Sequence, residues 1–139
     1  MDRYCLLFLF ILCLFNEVLS QNADKIIGFY YVTDPFTKEE SQVQVYKAND
    51  NTYSGRVVWV KKEEGRKFEG LEFLNSLKYD DKNNEWINGR IQYPGKNGIF
   101  DTYMVFISEQ ELKVRGYWVF ALLGKTVYWK KEEQKRTHK

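Results

Sequence analysis

The chain has 139 residues, room for one domain that buries its own core without metal or disulfide staples. Hydrophobic residues at 44% and aromatics at 17% exclude a disordered chain and favour strands, because Tyr, Phe, Trp, Val and Ile suit a pleated, half-buried surface. A formal charge of +2, evenly spread, gives no electrostatic ground for a nucleic-acid or anionic-membrane partner.

The first element in chain order is a targeting segment. Arg3 precedes an apolar run from Tyr4 to Phe15, and Val18-Leu19-Ser20 supplies a small-residue cleavage site, so a signal peptide over 1–20 is expected, with Gln21 as the first mature residue. Asn16 and Glu17 stop the run short of the roughly 20 apolar residues that a membrane span requires, so no integral span is expected after processing. Both cysteines, Cys5 and Cys13, fall inside that segment, which removes thiol nucleophiles, disulfides and Cys-based metal sites from the mature chain. The expected location is exported, periplasmic or secreted.

From Lys25 onward, strand-like runs recur between clusters of Asn, Asp, Gly and Lys. They are Lys25 to Thr33, Gln42 to Lys47, Tyr53 to Lys61, Leu71 to Tyr79, Glu85 to Tyr93, Ile99 to Ser108, Glu111 to Phe120 and Lys125 to Lys131. The turns between them have a mechanism: Asp34-Pro35, Asn49-Asp50-Asn51, Asp80 to Asn84 and Pro94 to Gly98. Alternation predicts inward faces: Val43 and Val45 against Gln42 and Gln44; Leu71, Phe73, Leu77 and Tyr79 against Glu72, Ser76 and Lys78; Ile87, Ile91 and Tyr93 against Asn88, Arg90 and Gln92. Gly28, Gly55, Gly89 and Gly116 fall inside strand patterns, where glycine is unfavourable unless the backbone bends or is closely approached. The expected fold is all-β, a single antiparallel barrel of about eight strands over 21–131, with a β-sandwich as the alternative. The charged loop Lys61 to Glu69 and the charged tail 132–139 are expected to be solvated.

Several residues carry a family resemblance. Gly28, Gly55 to Trp59, Gly70-Leu71, Gly89-Arg90-Ile91, Tyr93-Pro94, Leu112 to Tyr117, Leu123-Gly124-Lys125-Thr126 and Trp129 together resemble domain of unknown function 2147, a family of exported bacterial proteins. The specific part is a V-R-G-Y strand followed at fixed distance by L-G-[RK]-T and Trp. The resemblance implies a small barrel in the cell envelope and lends no activity. The sequence departs from the family pattern at Tyr93-Pro94, which an Asp commonly separates, at Lys125, commonly Arg, and in a shorter loop after Trp59. A looser similarity is to lipocalin-like barrels, although Gly28-Phe29-Tyr30 lacks the Trp of their G-x-W strand.

Gly124-Lys125-Thr126 resembles the end of a phosphate loop, but Val119 stands where that loop needs glycine and no helix follows. Arg115 to Phe120 partly matches an RNA-recognition strand, but Trp118 occupies a small-residue position and the alternation of helix and strand is missing. No nucleic-acid partner is expected. The only histidine, His138, lies in the tail and no hydrolase or metalloprotease motif occurs, so no catalytic residue, cofactor or metal site is expected.

The leading expectation is therefore a non-catalytic barrel that takes a small, largely apolar ligand, lined by Tyr30, Tyr93, Tyr103 and Trp118, with Arg115 as a polar anchor if it points inward. A structural Arg115 is the competing account. A second reading is an envelope interaction module contacting an unknown protein through Tyr31, Trp86 or Tyr128. A third is a carbohydrate-active enzyme using two of Glu69, Glu72, Asp80, Asp81 and Asp101.

Overall fold

A computed structural model describes residues 3–118 and 120–139, with the side chains of 15–21 and 120–123 outside that description. A helix, α1 (Arg3–Asp24), leads into eight strands: β1 (Gly28–Thr33), β2 (Glu40–Lys47), β3 (Tyr53–Val60), β4 (Glu72–Asp80), β5 (Glu85–Ile91), β6 (Phe100–Ser108), β7 (Glu111–Trp118) and β8 (Phe120–Glu132). Each strand pairs antiparallel with the next, and β1 pairs with β8 through Phe29↔Glu132, Tyr30↔Lys131 and Tyr31↔Lys130, so the sheet closes into a barrel rather than a sandwich. Closure removes the exposed sheet edges that an open meander would leave.

The expected turn chemistry makes the hairpins. Asp34 Oδ1 accepts from the amides of Phe36 (2.7 Å) and Thr37 (3.0 Å). Asp50 Oδ1 accepts from the Thr52 amide (3.0 Å) and hydroxyl (2.6 Å), and Asp80 Oδ1 accepts from the Lys82 amide (3.1 Å). These short polar side chains replace backbone partners that a tight turn cannot supply.

Two expectations about facing need correction. On β5 it is Trp86, Gly89 and Ile91 that are buried, while Ile87 is half-buried. Asn88 adopts φ 62° and the β5–β6 register shifts between Trp86 and Gly89, so a bulge reverses the side-chain phase that strict alternation assigns. On β4, Phe73, Leu74 and Leu77 are buried, Leu71 is exposed, and Ser76 at φ 63° marks the same kind of irregularity.

The charged loop is solvated as expected along residues 61–64, Arg66 and Lys67, but it is anchored to the barrel at Gly65. A 3-10 helix, Glu63–Phe68, lies against β3, with Gly65 buried so tightly that a Cβ there would come 2.5 Å from Val60 Cγ1. Glu69 Oε1 accepts from the Val60 amide at 3.0 Å, fixing the exit of that turn. The charged tail is exposed over 133–139 as expected, but it lies on the barrel wall rather than extending away from it. It crosses the outer face of β1–β3, where the Arg136 guanidinium lies 4.6 Å from the Tyr31 ring centre and the His138 ring stacks on Trp59 at 5.7 Å.

Candidate functional site

The two barrel ends differ. At one end the segment that follows α1 acts as a plug. Ile26 is fully buried, Tyr30 Oη donates to the Ile26 carbonyl (2.8 Å), Trp86 Nε1 donates to the Ala23 carbonyl (3.0 Å), and Tyr53 Oη donates to Asp24 Oδ1 (2.6 Å). Lys131 Nζ adds a bond to the Lys25 carbonyl at 3.0 Å, and burial beside Lys25 lowers its pKa from the ordinary lysine value. Burial also pushes the Tyr30 and Tyr53 hydroxyls up, so both remain proton donors across the physiological range.

The opposite end is a mouth. Phe36 from the β1–β2 loop, Tyr93 after β5, Phe100 at the start of β6, Gly116 and Trp118 on β7, and Gly124 and Lys125 on β8 surround a cavity of about 420 Å³. The rings interlock: Phe36 meets Tyr93 edge-on at 5.3 Å, Phe100 meets Tyr93 at 5.6 Å, and Trp118 leans over Phe100 at 5.6 Å. Trp118 is 58% exposed, an unusual solvent share for a ring in an aromatic cluster and one consistent with a surface left for contact. Behind Tyr93 lies a smaller cavity of about 60 Å³ walled by Val32, Val43, Val57, Phe68 and Trp129, so the Tyr93 ring partitions the barrel interior.

Tyr93 carries the polar feature of this site. Its hydroxyl is buried and has no hydrogen-bond partner among the described residues. It rests against Gly116, where a Cβ would come within 3.0 Å of it. Burial, with Asp34 nearby, pushes its pKa up to about 12, so it presents a neutral O–H. A buried hydroxyl left unpaired costs about 1–3 kcal/mol.

Of the five residues predicted to line a site, Tyr93 and Trp118 share the mouth. Tyr30 faces inward at the plugged end, with its hydroxyl already satisfied. Tyr103 and Arg115 pair across β6 and β7 on the outer face, opposite in phase to the buried Thr102, Met104, Val114 and Gly116. Arg115 Nη1 donates to Thr126 Oγ1 at 2.9 Å and Tyr103 packs on Tyr117, so these two form an outer ladder and not a cavity lining. Arg115 does not point inward, because alternation from the inward Val114 and Gly116 turns it out. Sequence reasoning missed Phe36 and Phe100; the signal for Phe36 was its place in a tight Asp34-Pro35 loop at a strand end.

The surface aromatics fare similarly. Trp86 is buried in the core, correcting its expected exposure, and Tyr31 lies under Arg136, whereas Tyr128 is exposed. Among the carboxylates considered for catalysis, Glu69 meets His138, and Asp80 caps its turn. No cluster of metal-binding side chains occurs among the described residues.

A closed eight-stranded barrel, plugged at one end and opening through an aromatic mouth at the other, is a lipocalin-like barrel protein. The family described as "Uncharacterized protein conserved in bacteria (DUF2147)" matches residues 28–131, and the chain belongs to that family. Among solved structures it is similar to protein HP1028 from Helicobacter pylori, described as belonging to the lipocalin family. The likeness has 16% identity and a TM-score of 0.64, and covers 78% of this chain and 83% of that one. At that identity the similarity is one of fold. No curated protein sequence matches.

Proposed function

We propose that the protein is a non-catalytic carrier that binds a small, largely apolar molecule in the mouth formed by Phe36, Tyr93, Phe100 and Trp118. The observation that carries this reading is the cavity at the open end of the barrel, walled by the rings of Phe36, Tyr93, Phe100 and Trp118. A volume of about 420 Å³ falls within the range of small-molecule pockets, roughly 300–1,000 Å³. The ligand would place its apolar body between Trp118 and Phe36, against the Tyr93 and Phe100 rings.

The apolar side chains of α1 from Tyr4 to Leu12 are exposed, which supports its role as a signal peptide for export to the periplasm or beyond. No helix among the described residues is long and apolar enough to cross a membrane. Cleavage after Ser20 would retain Ala23 to Ile26, and with them the plug.

The neutral dye N-phenyl-1-naphthylamine tests the site. Saturable binding with a stoichiometry of one is expected, weakened about fivefold to tenfold by Trp118→Ala, a loss of about 1–1.4 kcal/mol of ring contact. Gly116→Ala, which presses a methyl group on Tyr93 Oη, should weaken it by a smaller factor. Non-saturating uptake, or binding indifferent to both substitutions, would refute the mouth as the site.

A further inference from the structure

Lysines gather at the rim of the mouth. Lys38 Nζ and Lys125 Nζ both reach the Pro35 carbonyl oxygen, at 3.2 Å and 3.5 Å. Lys125 and Lys96 each hold an ammonium over the Phe36 ring, 4.9 Å and 5.1 Å from its centre. Three cations thus gather on one loop, and none of them has a carboxylate partner among the described residues. The carboxylate on that loop, Asp34, accepts the Phe36 and Thr37 amides at Oδ1 and forms no ion pair with these lysines. Two ammoniums at one carbonyl and a third over the adjoining ring make a place where an added anion would be stabilised.

We infer that the ligand of this mouth is an anionic amphiphile, its apolar part held among Phe36, Phe100 and Trp118 and its acidic group held at the rim by Lys125, Lys96 and Lys38. The inference rests on the binding reading above and adds the charge and polarity of the ligand class. Lysine suits this place because its alkyl stem covers the aromatic wall while its ammonium stays at the water boundary. Cation–π contact with Phe36 holds Lys96 and Lys125 over the opening when it is empty. A carboxylate, sulfate or phosphate monoester arriving there would accept charge-assisted hydrogen bonds from more than one ammonium.

The test compares three ligands with the same ten-carbon chain, decyl sulfate, 1-decanol and decyltrimethylammonium, each displacing the naphthylamine dye below its micellar concentration. Decyl sulfate should bind about tenfold more tightly than decanol at low salt, and most of that preference should vanish at about 0.5 M salt, where screening is short-ranged. Lys96→Gln combined with Lys125→Gln should remove the preference, so that decyl sulfate and decanol bind alike. The Glu replacements of the same two lysines should reverse the preference, and near-UV circular dichroism would establish that the variants keep the native fold. Equal affinity for sulfate and alcohol, or tighter binding of the ammonium, would overturn the anionic assignment while leaving the apolar site standing. Failure of all three ligands to displace the dye would overturn the anionic assignment and the mouth together.

Discussion

Replacing Trp86 with alanine should lower the unfolding free energy by about 3–5 kcal/mol, the range for truncating a large buried aromatic side chain. Trp86 is 1% exposed and packs against Tyr79 at 5.0 Å and edge-on against Phe106 at 5.5 Å. It also holds the Ala23 carbonyl through its indole N–H at 3.0 Å, tying the plug to β5. The loss should appear in urea as a midpoint lower by about 1.5–2.5 M, for a slope near 2 kcal/mol/M. Trp86→Phe separates the two contributions. It keeps most of the ring volume and leaves the Ala23 carbonyl without its donor, for an expected cost of about 1–3 kcal/mol. Strict strand alternation instead puts Trp86 on the outside, where alanine would cost within about 0.5 kcal/mol, so the two placements are separated by one denaturation curve.

That contrast shows what the residue pattern could and could not convey. The eight strands were legible because each carries β-branched and aromatic runs between Asn, Asp and Gly turns, and each observed strand overlaps its predicted run. Facing was legible only where the pleat is regular. Val43 and Val45 alternate as expected, but a left-handed residue at Asn88 shifts the phase of β5, and nothing in E-W-I-N-G-R-I announces which residue bulges. At the candidate site Tyr93 and Trp118 were readable as aromatic residues at strand ends. Arg115 was ambiguous because its neighbours Val114 and Gly116 fix a face only once the closed barrel defines its inside. The rim lysines were invisible in sequence. Lys38 and Lys96 sit in separate loops and Lys125 on β8, and they meet only because the ends of β1 and β5 and the start of β8 lie at the same mouth.

Charge alone marks the tail as solvated, and its cover over Gln42 has no local signal in the sequence. Removing residues 133–139 should therefore cost about 2–3 kcal/mol, measured by chemical denaturation at pH 7. Gln42 is fully buried on the outer face; its amide nitrogen donates to Glu132 Oε1 (3.1 Å) and to the Gln134 carbonyl (2.8 Å), and its Oε1 accepts from the Arg136 amide (2.8 Å). Truncation deletes two of those partners and leaves the amide group to be re-solvated or unpaired. It also removes the Arg136 fork on Glu132, with Nε to Oε1 at 2.9 Å and Nη2 to Oε2 at 2.7 Å. That fork holds the Glu132 carboxyl below its ordinary value. At Glu69 burial acts upward, but the hydrogen bonds from His138 and the Val60 amide outweigh it and hold the carboxyl low as well. A carboxyl with a depressed folded pKa contributes stability above its unfolded value, near 4.3, and loses it as pH falls through the folded one. The full-length protein should accordingly lose stability more steeply than the truncated one below about pH 5, so the gap between them narrows in acid. A gap that stays constant from pH 7 to pH 3 would show that the tail stabilises through packing on Tyr31 and Trp59 rather than through its carboxylate partners. Naphthylamine binding should survive the truncation, because the tail lies on the outer face and none of its residues lines the mouth.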